Sequence, residues 1–147
     1  MIRDVRLVEE SFDPNHAVDG LAESTPDAGG IATFTGKVRA AGVEALELTH
    51  YEPLTLANMH ELADRTFERF DLMGLLMAHR VGHLHPGEPI VCVSAAARHR
   101  RDAINAVDFA MDHLKSAAWF WKRELRDGTW HWIEPRGEDR LDLARWS

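Results

Sequence analysis

The sequence predicts an α+β fold: a single domain with a mostly antiparallel or mixed sheet, helices packed on it and β-hairpins. Three observations carry this. Alternating and β-branched runs interleave with helical periodicities in the order β-α-β-β-α-β-β-α-β-β. Strands follow one another directly often enough to favour hairpins over crossover units. The chain has 147 residues, the size of one domain able to bury a sizeable core.

Taken in order, residues 4–9 (DVRLVE) alternate as a short strand. Residues 15–23 read as a short helix, with Asp13 or Asn15 as its cap and Pro14 near its start. Pro26, Asp27, Gly29 and Gly30 mark a loop. Residues 31–38 (IATFTGKV) and 44–51 (EALELTHY) read as strands, and their close spacing predicts a hairpin. Pro53 opens a helix with Leu56, Met59, Ala63, Phe67 and Phe70 along one face. Gly74 separates it from a strand at 75–82 (LLMAHRVG), and Pro86 with Gly87 signals the next turn. Residues 89–97 (PIVCVSAAA) are nearly all small and apolar, as in a strand buried on both faces. A helix spans about 100–117, with Ile104, Val107, Met111 and Leu114 as its buried face. Residues 119–125 and 129–134 form a hairpin around Asp127 and Gly128. The polar tail from Pro135 is expected to be mobile, except for Trp146.

Composition narrows the function. A hydrophobic fraction of 45% and a charged fraction of 28% are ordinary for a soluble protein. No apolar run approaches the roughly 20 residues that span a bilayer, so no membrane role is expected. The N-terminus lacks the apolar core of a signal peptide, and one cysteine suits a reducing cytoplasm. A net charge of −7 argues against nucleic acid as a partner. Basic residues nonetheless cluster at 37–39, 98–101 and 122–123, a pattern suited to a small anion.

The densest chemistry lies in residues 98–124 (RHRRDAINAVDFAMDHLKSAAWFWKRE). Lys115 sits at the margin of the helix's apolar face, and Lys122 among Trp119, Phe120 and Trp121. A lysine beside apolar surface sheds hydration and tends to a lower pKa, which suits acid–base work. A lysine near a helix C-terminus also simply complements the macrodipole, and spacing alone does not separate the two readings. Residues 98–101 (RHRR) stand at a helix N-terminus, where free N–H groups favour a phosphate and cations oppose the dipole. Gly36 to Arg39 (GKVR) ends a strand with two cations but is no P-loop. His79, His83 and His85 do not complete a zinc set, so no metal is expected. Cys92 in mid-strand behaves as a small hydrophobe rather than a nucleophile. Trp130 and Trp132 share one strand face, a packing or partner surface.

Six segments in fixed order, FTGKVR (34–39), VGHLHPGE (81–88), HR (99–100), MDHLKS (111–116), FWKRE (120–124) and WIEPR (132–136), resemble the family of large, catalytic subunits of molybdopterin synthase. The likeness runs from about residue 29 to the end and is less distinct before that. It implies an enzyme that converts cyclic pyranopterin monophosphate into molybdopterin, with no cofactor or metal. The two sulfurs come from the C-terminal thiocarboxylate of a small ubiquitin-like subunit. It implies a homodimer of large subunits within a heterotetramer. By motif, Lys115 and Lys122 are the catalytic lysines. Lys37, Val38, Arg39, His99, Arg100, Lys115, Lys122, Arg123, Glu124 and Arg136 form the substrate-binding set, with His99 and Arg100 holding phosphate across the dimer interface. Arg98 and Trp119 depart from the family pattern, where a small polar residue and a proline are usual. A non-catalytic module binding a phosphate ligand or a protein is the alternative reading of the same basic patch and tryptophans.

Overall fold

The run of small apolar residues without alternation, 89–97, is the spine of the first sheet, and the other elements are laid against it. The computed structural model describes residues 1–50, 53–116, 120–134 and 137–146. The elements are β1 (Ile2–Val8), α1 (Pro14–Ser24), β2 (Gly30–Lys37), β3 (Ala45–His50), α2 (Leu54–Arg69), β4 (Gly74–Arg80), β5 (Gly82–Leu84), β6 (Pro89–Ala97), α3 (Arg100–Ser116), β7 (Phe120–Arg126), β8 (Thr129–Ile133) and α4 (Gly137–Ala144). They build two four-stranded sheets, β1-β4-β6-β2 and β5-β3-β7-β8. β1 runs parallel to β4 and the other pairings are antiparallel, the mixed α+β architecture expected from the sequence.

Helices cover both faces of the first sheet, which is why β4 is buried along its whole length and β6 through residues 91–97. α1 packs Ala17 and Leu21 against Leu76, Ala78, Cys92 and Ala96. α2 and α3 pack against the other face, joining Met59, Leu62, Val107, Phe109 and Leu114 to Leu75, Met77, Val91 and Val93. α1 begins as its sequence dictates: the Asp13 side chain accepts a hydrogen bond from the Asn15 N–H at 2.9 Å, with Pro14 in the first turn. Among the described residues no helix is long and apolar enough to cross a membrane.

β2 and β3 do not form the expected hairpin; they belong to different sheets. At the irregularity between Gly36 and Lys37 the chain leaves the first sheet. Val38 then donates its N–H to the Glu88 carbonyl (3.0 Å) and accepts from the Gly87 N–H (2.9 Å). Its side chain is buried with Leu46, Leu48 and Leu84 of the second sheet. Burying Val38 there outweighs local pairing, and β3 finds β5 and β7 instead. The β7–β8 hairpin does form, with Asp127 and Gly128 both at positive φ (50° and 76°), as a two-residue primed turn requires.

Two helix faces differ in detail from the periodicity. Ile104 is 49% exposed and lies at the margin of an arc centred on Ala103, Ala106, Val107 and Ala110. Leu56 is likewise exposed, while Leu62 and Thr66 take buried places on α2. Within the tail, residues 137–144 form α4, followed by Trp146 packed edge-on against Phe70 and Phe109. Arg145 pairs with Asp108 (3.1 Å) and Asp112 (2.6 Å), and the Trp146 Nε1–H donates to Asp112 at 2.6 Å. Those polar residues answer an acidic stripe on α3, a match that composition alone conceals.

Candidate active site

The register of β2 with β6 sets the geography of the basic residues. Gly30 pairs with Ala97 and Lys37 with Pro89, so residues 37–39 and residues 98–100 leave opposite ends of the same strand pair. At about 3.3 Å per residue those ends stand roughly 25 Å apart. α3 then runs back along the sheet for a comparable length, about 1.5 Å per residue, and returns Lys115 to the Lys37 end. The same end of the sheet holds His79, whose Cα partner is Val91 and whose pKa is lowered by burial first and by the Lys115 charge in addition. A single chain therefore brings Lys37, Val38, Arg39 and Lys115 to one end and leaves exposed His99 and Arg100 at the other.

β7 supplies the second lysine. Because side chains alternate along a strand, Phe120, Lys122 and Glu124 share the inner face with their partners His50, Leu48 and Leu46. Phe120 lies flat on His79, ring centroids 3.9 Å apart and planes 12° from parallel. Half-buried Lys122 thus stands one alternation from a ring that touches His79, and His79 in turn feels Lys115. Val38, between the two cations of the GKVR segment, is packed against Leu48, the Cα partner of Lys122. The two lysines and residues 37–39 are brought to one region by three separate elements.

Other expected residues are placed differently. Arg123 turns to the outer face of the second sheet, where Nε and Nη2 donate to the Glu47 carboxylate at 3.1 and 2.8 Å. Its guanidinium also covers Trp130 at 4.4 Å and Trp132 at 5.7 Å. The Arg123 hydrogen bond lowers the Glu47 carboxyl below its ordinary value. Glu124 is buried on the inner face and holds Arg126 in an ion pair. Arg136 and Trp119 lie outside the described residues. His79 faces the first sheet's helical layer while His83 is exposed beside Glu47, so the H-x3-H-x-H spacing does not gather its ligands. Cys92 is fully buried; burial raises its thiol, and the Thr35 hydroxyl donates weakly to its sulfur at 3.8 Å. It is no nucleophile.

His79 is the residue that sequence reasoning missed. The H-x3-H-x-H spacing presents it only as a metal ligand, and its signal is a histidine near the end of a strand that is otherwise wholly apolar up to Arg80. His50 is a second, set opposite Phe120. Elsewhere, a hollow of about 200 Å³ between α2, α3 and α4 is lined by Asn58, Glu61, Arg65, His113 and Ser116 and reaches neither lysine.

The residues 7–117 match the family model described as MoaE protein. The chain belongs to the MoaE family. A molybdopterin synthase catalytic subunit of Caulobacter vibrioides is 42% identical to it over 144 residues, covering 97% of this chain and 96% of that one. Another from Ralstonia nicotianae is 38% identical, covering 97% and 83%. Among solved structures, a molybdopterin biosynthesis MoaE protein from Burkholderia ambifaria superposes with a TM-score of 0.85 at 36% identity, covering 99% of this chain and 98% of that one. A complex of subunits 1 and 2 of a molybdopterin-converting factor from Helicobacter pylori shares the MoaE fold, with a TM-score of 0.76 at 18% identity over 90% and 91% of the chains. The MoaE match covers both β2 and α3, the elements that bring Lys37 and Lys115 to one end of the sheet.

Proposed function

We propose that this chain is the catalytic subunit of a molybdopterin synthase. It converts cyclic pyranopterin monophosphate into molybdopterin with two sulfurs from the C-terminal thiocarboxylate of a small ubiquitin-like partner. The observation that supports the reading is the His79–Phe120 stack, which joins the end of β4 to the strand that carries Lys122, at the end of the sheet toward which α3 runs with Lys115. Two ammonium-bearing side chains on separate rigid elements can stabilise developing negative charge and move protons as carbon–sulfur bonds form. The sulfur comes from the partner, in keeping with a lone cysteine sealed in the core. The two-subunit assembly of the Helicobacter pylori fold relative is a precedent for that partner.

His99 and Arg100 enter from a second copy of the chain. Their place at the far end of β6 leaves them about 25 Å from the lysines of their own chain at strand spacing. A phosphate-holding role at the same substrate therefore needs the dimer, and the heterotetramer has one small subunit for each large one. The exposed edge strand β2, with Ile31 and Phe34 at the surface, lies between the two ends. Lys37, Arg39 and Arg136 add charge for the substrate's anionic groups. Arg123 and Glu124 hold the β7 strand that carries Lys122. The reaction is assigned to the cytoplasm.

The test is incubation with cyclic pyranopterin monophosphate and a thiocarboxylated small subunit, reading dithiolene product. Lys115→Ala and Lys122→Ala are each expected to lower the rate by about 100-fold or more, the usual scale for loss of an acid–base group. Near-normal turnover in both would reject the assigned roles. Binding of the pyranopterin without turnover by the native chain would favour the non-catalytic module instead.

A further inference from the structure

Arg80 is the last residue of β4 and is 3% exposed, a buried cation to which the reaction as described gives no part. Its backbone is firmly held. It stands opposite Val8 at the end of the β1–β4 ladder, and the Val81 N–H donates to the Val8 carbonyl at 2.9 Å. Its own carbonyl accepts from His79 Nδ1 at 2.7 Å. From that base the guanidinium reaches three acceptors. Nη1 donates to the Glu88 carboxylate at 2.7 Å, and Nη2 to the carbonyls of His83 at 3.1 Å and Glu9 at 3.2 Å. His83 and Glu88 stand at the two ends of the turn that carries Pro86 and Gly87, so one planar group grips the turn from both ends.

That turn is what pins Val38. The Glu88 carbonyl accepts the Val38 N–H at 3.0 Å, and the Gly87 N–H donates to the Val38 carbonyl at 2.9 Å. Val38 is buried while its neighbours Lys37 and Arg39 are exposed, so those two backbone bonds decide where both cations stand. Stability does not account for the arginine, since replacing a buried ion pair by apolar residues of like volume is often neutral or stabilising. We infer that Arg80 is a positioning residue for substrate binding: by gripping His83 and Glu88 it fixes the turn, and through the turn's two backbone bonds to Val38 it sets Lys37 and Arg39 against the substrate's anionic groups. Arg80 is itself buried and paired with Glu88, and touches no substrate. The inference rests on Lys37 and Arg39 binding the pyranopterin.

Arg80→Met keeps much of the side chain's apolar length and removes its donors, leaving the Glu88 carboxylate, 28% exposed, to meet water. In the product assay with the thiocarboxylated small subunit it is expected to raise KM for the pyranopterin about 10-fold with kcat within about 2-fold. The kcat holds because Lys115 and Lys122 stand on other elements. Hydrogen exchange in the same variant is faster at the Val38 and Gly87 amides, while the amides of β6 keep their native protection. Added to Lys37→Ala/Arg39→Ala, Arg80→Met raises KM no further, as expected of a residue acting through those two. Native KM in Arg80→Met, a fall in kcat alone, or a second rise of the same size on the Lys37→Ala/Arg39→Ala background overturns the inference and leaves the synthase reading standing. Native KM in Lys37→Ala/Arg39→Ala overturns the inference and the binding role of those residues together. Since replacing a buried cation can cost the fold, Glu88→Ala tests the same link from its more exposed end: it removes the carboxylate and keeps the carbonyl that Val38 uses. Raised KM with faster exchange at Val38 and Gly87 supports the inference, and a native value for either overturns it.

Discussion

At the residue scale, two positions make the strongest demands. Gly29 passes so close to the start of α3 that a Cβ would sit 2.1 Å from the Arg98 carbonyl oxygen. Gly29→Ala must therefore move backbone on one side or the other, at about 1–3 kcal/mol for overpacking. The expected outcome is a lower Tm, together with weaker substrate saturation because His99 and Arg100 follow directly. His79 sets a pH dependence. Its pKa is about 4 in the folded chain against an ordinary 6.5, so the native state disfavours the proton that the unfolded chain accepts. The stability this gives is complete above pH 6.5 and is lost as pH falls from there through about 4, roughly 3 kcal/mol in all. Chemical denaturation at pH 7 and pH 4.5 should show the loss in native protein and a smaller one in His79→Phe. Sequence spacing offered His79 only as a metal ligand, since what distinguishes it is a stacking partner 41 residues away on another sheet. The two lysines were visible, but their company was not.

At the scale of elements, local patterns were legible wherever the burial was local. The Asp13–Pro14 helix start, the uninterrupted apolar run of β6 and the Asp127-Gly128 turn all follow from chemistry within a few residues. The β2–β3 connection is not legible in local spacing because its outcome is decided by Val38 burying itself against residues of the second sheet. α4 is hidden for a related reason: the charged residues of the C-terminal segment read as solvated until Asp108 and Asp112 of α3 are placed opposite Arg145, just after α4. Asp112→Ala removes acceptors from both Arg145 and the Trp146 indole. It is expected to cost about 1–3 kcal/mol and to expose the C-terminal segment to limited proteolysis. The His99 and Arg100 pair gives another element-scale expectation: replacing both with alanine raises KM for the pyranopterin more than it lowers kcat. An unchanged substrate dependence would count against a phosphate role.

At the scale of the whole molecule, the residues the family likeness brings together are split between the two ends of one sheet. That division predicts complementation. Mixing Lys115→Ala with an equal amount of the His99→Ala/Arg100→Ala chain, under conditions where subunits exchange, should give more activity than either parent at pyranopterin concentrations below the raised KM. Each mixed dimer then holds one site with both defects and one with neither. Absence of any recovery in verified mixed dimers would place both groups at the same chain's substrate.

The pinning of Val38 has a consequence for how such a site tolerates change. Its N–H and carbonyl are both engaged by residues 87 and 88, and its side chain is sealed beneath β3. Whatever happens in the five residues that follow before Glu44, where Gly42 turns freely with no atom near its missing Cβ, strain stops at that pin. Loop length beyond that pin is mechanically insulated from Lys37, which precedes it. Two glycines inserted after Gly42 should leave KM for the pyranopterin where it was, whereas Val38→Gly, with the loop untouched, should raise it.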